Sequence, residues 1–232
     1  MSDPLFDILR KVTTATITTM LLKKGIRRCW MNGPKPLAPI GQRIVGPAFT
    51  LRFVPAREDL ATPESWAKPI STRGAIEDMP EGCIAVADAM GILSAGIFGD
   101  ILTMRMVKRR VAALVTDGAV RDKVGVLASK LPVWCAGVAA PASVNGLTFV
   151  GWQEPIGCGG CAVFLGDIIV CDDDGTVVIP QNLLDFVAQE GAEHERMETW
   201  IVDAVERGAK LPGLYPMNAE TKARYEAAKK QR

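Results

Sequence analysis

The stretch Phe98–Asp122, FGDILTMRMVKRRVAALVTDGAVRD, decides how this chain folds. Asp100 stands at the head of an amphipathic pattern that predicts a helix over Asp100–Arg109. A short apolar strand follows over Ala112–Thr116, and a glycine-containing turn then delivers Arg121 and Asp122 side by side. One helix start and one strand end would thus bring together two carboxylates, one guanidinium and free backbone N–H groups. Such a site suits a divalent metal with a small anionic ligand.

Working outward, Cys83–Asp88 (CIAVAD) predicts a buried strand and Gly91–Phe98 a flexible connector of small residues. Val45–Val54 (VGPAFTLRFV) alternates in its second half and predicts another strand, preceded by an irregular connector from Cys29 to Pro39. Pro55–Trp66 is polar and turn-rich and predicts a surface excursion before a short helix near Arg73–Asp78. A helix is expected at Asp122–Ser129 and a strand at Val133–Ala136. The second half then turns to short β segments, at Thr148–Trp152, Cys161–Phe164, Ile168–Asp172 and Thr176–Ile179. Helices close both ends, over Leu5–Lys24 and Pro180–Arg207. The fold class is mixed α/β, with a single domain expected over residues 1–211 and a polar C-terminal extension over 212–232.

With 232 residues and 48% hydrophobic content, the chain can bury a sizeable core. Its 27 basic and 26 acidic residues nearly cancel, and no basic stripe of the kind nucleic-acid binders carry stands out. Lys23–Lys24, Arg27–Arg28 and Lys108–Arg109–Arg110 are expected to be solvated helix ends, so no nucleic-acid partner is expected. No stretch approaches the ~20 apolar residues of a membrane span. MSDPLFDILRKV carries an early acid and no apolar core of a secretory signal. The six cysteines sit mostly in apolar stretches and are expected to be buried, reduced thiols, consistent with a cytoplasmic protein.

The inventory also narrows the chemistry. The lone histidine, His194, lies in a charged helical stretch and is expected to face solvent, which argues against His-rich zinc sites and Ser-His-Asp or Cys-His catalysis. Cys158-Gly-Gly-Cys161 has redox spacing but opens a β segment, so no helix N-terminus is there to activate a thiol; a tight glycine turn is expected instead. A Schiff-base mechanism needs an enclosed lysine. Most lysines here, such as Lys229 and Lys230, lie in basic clusters or the tail, and Lys123 alone adjoins the proposed site.

Asp100 or the Arg121–Asp122 pair alone would pass for a helix cap or a turn ion pair. Together they form a coherent set. Gly99 allows close backbone approach, the amides of Ile101 and Leu102 would point at an anion, and Arg121 offers a planar fork to a carboxylate or enolate oxygen. Asp122 and Asp100 supply hard oxygen donors for Mg²⁺ or Mn²⁺.

Asp100, twenty intervening residues and Arg121–Asp122 form a D-x20-R-D spacing. In this the chain resembles class II pyruvate aldolases of the 4-hydroxy-4-methyl-2-oxoglutarate/4-carboxy-4-hydroxy-2-oxoadipate type, which share a fold with the regulator of ribonuclease activity A (RraA). The blocks Thr14–Ala15–Thr16, Val45–Thr50, Val115–Asp122, Pro155–Ile156 with Gly159–Gly160, and Gly166–Asp167 through Gly175 resemble family blocks in the same order. The resemblance implies an RraA-like β/β/α swivelling-domain-like fold with mixed sheets flanked by helices, in trimers or hexamers with sites between subunits. It implies a metal-dependent lyase that cleaves a 4-hydroxy-2-oxo acid to pyruvate and a carbonyl product, with oxaloacetate decarboxylase activity alongside. By carry-over, Asp122 holds Mg²⁺ (or Mn²⁺), Arg121 stabilises the pyruvate enolate, Asp100 positions a water on the metal, and the Ile101 and Leu102 amides cradle the carboxylate. The resemblance also implies an acid borrowed from a neighbouring subunit's C-terminal helix, for which Glu195 and Glu198 are the candidates, a solvated helix face explaining them equally well. The alternative function within the same resemblance is a non-catalytic RraA-type inhibitor of an RNase E-like ribonuclease. Two features depart from the family pattern: an aspartate expected near Thr18–Thr19 is absent, and the chain carries the Pro55–Trp66 excursion and a C-terminal Gly-Leu-Tyr-Pro tail.

Overall fold

The computed structural model describes residues 3–229; the final residues of the polar tail, Lys230 among them, lie outside. The described chain runs α1 (Pro4–Leu9), α2 (Thr14–Lys23), β1 (Lys35–Pro36), β2 (Ile44–Pro55), α3 (Thr72–Asp78), β3 (Ile84–Asp88), α4 (Asp100–Lys108), β4 (Ala113–Val120), α5 (Lys123–Ser129) and β5 (Val133–Val138). Then follow β6 (Leu147–Trp152), β7 (Ile156–Cys158), β8 (Cys161–Val163), β9 (Ile168–Asp172), β10 (Gly175–Ile179), α6 (Leu184–Glu206) and α7 (Ala219–Lys229).

Eight strands form one mixed sheet in the order β1-β5-β4-β3-β2-β9-β10, with β6 pairing β2. Strands β2 to β5 are parallel, and β1, β6, β9 and β10 run antiparallel to their neighbours. The long β2 is shared: Ile44–Pro47 pairs β9, Ala48–Arg52 pairs β3, and Leu51–Pro55 pairs β6. The sheet curls until Trp134 of β5 donates its indole N–H to the Asp172 carbonyl of β9, 2.8 Å away, which nearly closes it.

Side-chain alternation sorts the apolar residues into three cores. Ile84, Val86, Val115, Trp134, Ile169, Cys171 and Val178 point inside the curl. Ala85 and Ala87, one position out of phase, face outward with Leu114 beneath α3, α4 and α5, where Ile76, Met106 and Val126 cover them. On the other side Val45, Ile168, Val170, Val177 and Ile179 pack beneath α1, α2 and α6. Near-continuous apolar strands are what a parallel sheet covered on both faces requires.

Several local expectations are corrected. The helix expected over Leu5–Lys24 is interrupted at Arg10–Thr13, where Thr13 becomes an N-cap whose hydroxyl accepts from the Thr16 amide at 3.1 Å. The strand expected to end at Thr116 continues to Val120, with a register shift between Thr116 and Ala119. Its Asp117 carboxylate accepts from the Ala89 and Gly159 amides, so the Asp-Gly pair makes a bulge rather than a turn. Gly91–Phe98 is not a flexible connector: Ala95–Gly99 are buried, and Ile97 donates to the Ala119 carbonyl at 2.9 Å. His194 does not face solvent; its side chain is 17% exposed and pairs with Glu198 at 3.2 Å.

The cysteine expectations match the structure. All six are buried and free. Cys158 and Cys161 pair across the β7–β8 hairpin, whose turn residues Gly159 and Gly160 have φ of 57° and 78°. The polar tail folds back as α7, where the Tyr225 ring meets Trp200 edge-on at 5.7 Å and its hydroxyl donates to Glu193 at 3.0 Å.

Candidate active site

The parallel strand β4 ends at Val120, and the next two residues carry the charges. Arg121 is laced to the neighbouring segment by its backbone, its amide donating to the Phe98 carbonyl at 2.9 Å. Asp122 adopts a left-handed conformation (φ 51°, ψ 47°), which aspartate tolerates better than most residues, and so turns the chain directly into α5. Its Oδ2 accepts from Arg121 Nε at 3.0 Å, and both side chains remain partly exposed, 36% and 49%. The remaining nitrogens of the Arg121 fork make no hydrogen bond among the described residues.

Helix α4 begins beside this pair. Gly99 is its N-cap, and a Cβ there would lie 2.8 Å from Asp122 Oδ2 and 3.2 Å from Arg121 Cγ. At Gly96 a Cβ would lie 2.7 Å from that of Arg121, and at Gly125 of α5 it would lie 2.5 Å from that of Asp100. Three bare backbone positions therefore allow α4, α5 and the end of β4 to converge, a close approach that any side chain would block. Gly99, Asp100, Ile101, Leu102, Arg121 and Asp122, the residues singled out from the sequence, all line one cavity of about 490 Å³.

One detail differs from expectation. The Ile101 amide is not free, because Asp100 Oδ1 accepts from it at 2.7 Å. An acid in the first helical turn finds an unpaired N–H close by. An anion bound at this helix start would compete with that carboxylate for the Ile101 amide.

Sequence reasoning missed the cavity's outer wall. Trp66 comes from a short 3-10 helix, Pro63–Ala67, within the Pro55–Trp66 excursion. Arg73 and Glu77 come from α3 and Arg105 from α4. Arg105 clamps Glu77 through two bonds of 2.8 and 2.7 Å, and Arg73 lies over the Trp66 ring with its Cζ 4.9 Å from the centroid. The only signal in the sequence was the excursion itself; the Glu77–Arg105 clamp spans 28 residues, and the Trp66–Arg73 contact joins the excursion to α3, which no short-range pattern marks.

The acids expected from a C-terminal helix have partners within their own chain. Glu195 Oε1 accepts from both the amide and the hydroxyl of Thr13 at 2.8 Å, tying α6 to the start of α2. Glu198 pairs with His194. Lys123 is exposed at the first turn of α5, without the enclosure a Schiff-base lysine needs.

Among the described residues no group of three or more His, Cys, Asp or Glu side chains is placed to hold a metal. The donors at the site, two exposed aspartates, still fit a hard divalent cation. Mg²⁺ commonly binds through one or two carboxylates and keeps several waters.

A curled mixed sheet with a strand-end aspartate–arginine pair facing a helix start defines the class. A family model described as RraA-like, Aldolase/RraA, matches residues 14–178, and the chain belongs to this RraA-like family. It is 34% identical over 176 residues to a Halalkalibacterium halodurans protein provisionally named a 4-hydroxy-4-methyl-2-oxoglutarate aldolase, covering 74% of this chain and 77% of that one. It is 30% identical over 177 residues to protein DlpA of Legionella pneumophila, covering 76% of this chain but only 28% of DlpA, so the chain spans under a third of that relative. Among solved structures it is similar to Streptomyces coelicolor RraAS2, described as an unusual member of the RNase ES inhibitor RraA protein family. That likeness has a TM-score of 0.77 at 33% identity, covering 86% of this chain and 96% of RraAS2. No described helix is long and apolar enough to cross a membrane.

Proposed function

We propose that this protein is a divalent-metal-dependent carbon–carbon lyase that cleaves a 4-hydroxy-2-oxo acid to pyruvate and a second carbonyl compound. The observation that carries this is the meeting of Asp100, Arg121 and Asp122 in one cavity, at a helix start and a strand end. Asp122, aided by Asp100, would hold Mg²⁺ or Mn²⁺, and when bound the ion supplies Lewis-acid stabilisation of the charge that develops on the keto oxygen.

The chain's own groups do the rest. The Leu102 amide, at the first turn of α4, donates to the substrate carboxylate. The open nitrogens of Arg121 donate to the keto oxygen, where negative charge accumulates. The substrate loses its 4-hydroxyl proton, the C3–C4 bond breaks, and the second carbonyl compound leaves. The electron pair passes into the pyruvate enolate, which takes a proton at C3. Asp100, exposed in the cavity, orients the water that carries these protons, a task for which no histidine is at hand. Oxaloacetate decarboxylation passes through the same enolate and is expected alongside.

A trimeric or hexameric assembly with sites at subunit boundaries is part of the proposal. Ile101 and Val124, 78% and 84% exposed, present apolar surface on the helices that frame the site, and a second copy would cover it. The protein would act in the cytoplasm on small 2-oxo acids, without nucleic-acid or membrane partners.

The test is pyruvate release from a panel of hydroxy-oxo acids and oxaloacetate, coupled to lactate dehydrogenase, with and without EDTA. Metal-dependent release is expected, and unchanged turnover after metal removal would end the proposal. The likeness to RraAS2 favours a second function, a non-catalytic inhibitor of an RNase E-like ribonuclease. Capture of such a ribonuclease, with no lyase activity on any oxo acid, would put it first.

A further inference from the structure

The cavity's charges do not balance evenly along its length. At the floor, Arg121 faces Asp122 and Asp100. In the outer wall, both Glu77 oxygens are occupied by Arg105. Arg73 is left over: among the described residues its guanidinium makes no hydrogen bond or ion pair, only the stack on Trp66. A cation–π contact uses none of the guanidinium N–H donors in a hydrogen bond to a carboxylate, so they stay available to an anion. Arg73 is exposed along the cavity wall, and partial desolvation beside the wall lowers its pKa somewhat. A charged wall residue that rests over an aromatic ring and has no carboxylate partner among the described residues is suited to receive one.

We propose that Arg73, placed over the Trp66 ring, is the specificity-determining residue that takes a second anionic group of the substrate, carried on the part that leaves as the carbonyl product. This rests on the lyase proposal for the orientation of the substrate. The 2-oxo acid end lies at Arg121 and Asp122, and the distal end reaches the wall formed by the 55–66 excursion and α3. The planar fork of Arg73 then pairs with a carboxylate edge-on. Trp66 contributes by restricting the guanidinium, so less freedom is lost when the anion binds.

Binding separates this assignment from the chemistry. Calorimetric titrations in the presence of Mg²⁺ compare pyruvate, which has one carboxylate, with 2-oxoglutarate, whose second carboxylate lies beyond C4. Arg73→Ala is expected to weaken 2-oxoglutarate by about tenfold or more, the scale of one charge-assisted pair in a partly wet site, while pyruvate affinity stays within about twofold. Arg73→Lys should recover part of the loss, and Trp66→Ala should show a smaller loss of the same selectivity. In turnover, Arg73→Ala should raise KM for a dicarboxylic hydroxy-oxo acid and leave kcat nearly unchanged. Equal weakening of both ligands, no weakening of either, or wild-type protein that binds neither would overturn the assignment. Arg73-dependent binding of 2-oxoglutarate without cleavage of any hydroxy-oxo acid would sink the lyase proposal alone. Cleavage with an unaltered KM in Arg73→Ala would sink the Arg73 assignment alone.

Discussion

Gly99→Ala separates the demands of the fold from those of the site. The backbone there has φ −120° and ψ −167°, open to alanine, so the change introduces no conformational strain. The new Cβ would sit 2.8 Å from Asp122 Oδ2 and 3.2 Å from Arg121 Cγ. Ordinary contacts of this kind lie near 3.4 Å or beyond, so the carboxylate must retreat by about 0.5 Å, and its bond to Arg121 Nε must shift with it. Asp122 Oδ2 is the far end of a partly exposed side chain, so the retreat costs little folding energy. Alanine is a poorer N-cap than glycine by roughly 0.5–1 kcal/mol, partly offset by about 0.4–1 kcal/mol from a less disordered unfolded chain. The net Tm change should stay within about 3 °C for a chain of this size. Misplacement of a reacting group by 1 Å costs about 10²-fold in rate, so half that distance at two charged groups should lower kcat by roughly tenfold. Coupled pyruvate release read beside a thermal melt tests this, with Gly157→Ala, whose Cβ would meet nothing within 4 Å, as the neutral control. A well-folded Gly99→Ala protein with full activity would refute the claim that the bare N-cap serves the Arg121–Asp122 geometry.

Asp122→Asn keeps a residue that tolerates the left-handed turn while removing the charge. It should lower pyruvate release by about 10²-fold or more and abolish the response to added Mg²⁺ in a metal titration. Burial pushes the Glu193 carboxyl up, but hydrogen bonds from Lys229, Arg196 and Tyr225 outweigh it and hold the pKa down at about 2. A depressed carboxyl pKa stabilises the fold above its unfolded value near 4.5, and that contribution is lost as pH falls toward 2. The stability gap between wild type and Glu193→Gln should therefore be full at pH 6 and vanish near pH 2, as read by denaturant melts. Burial raises Cys83 and Cys171 to about 12 and Cys161 to about 11. A thiol reagent at pH 8 should therefore label almost nothing in native protein and all six cysteines in denaturant; rapid native labelling would contradict the buried placement.

The floor of the cavity was legible in the sequence because its pieces are local. A helix-starting acid, an apolar strand and a charged pair after a glycine lie within twenty-five residues, Phe98–Asp122, and each obeys a short-range rule. Most of what escaped depends on partners far along the chain. Asp117-Gly118 reads as a turn until the Ala89 and Gly159 amides are seen to bind the carboxylate and hold it in the strand. Strands β1 and β7, of two and three residues, are too short to show a period. The break between α1 and α2 is held by Glu195, 182 residues away from Thr13. His194, set among charges, looked solvated, yet Glu198 one turn on and the packing of α6 cover it. Arg105 reaches Glu77 because α3 and α4 lie side by side, and Trp66 reaches Arg73 because the 55–66 excursion packs against α3.

The three bare positions, Gly96, Gly99 and Gly125, clamp the floor between strand end and helix starts, whereas most of the opposite wall, Arg105 of α4 apart, comes from a peripheral excursion and one short helix. Mutational drift can thus reshape the rim without disturbing the charged trio below. If the proposed cleavage holds, such a division of labour would give one scaffold a fixed centre and an exchangeable entrance, so that new leaving halves would be gained by rewriting residues 55–73 rather than the hearth of the molecule.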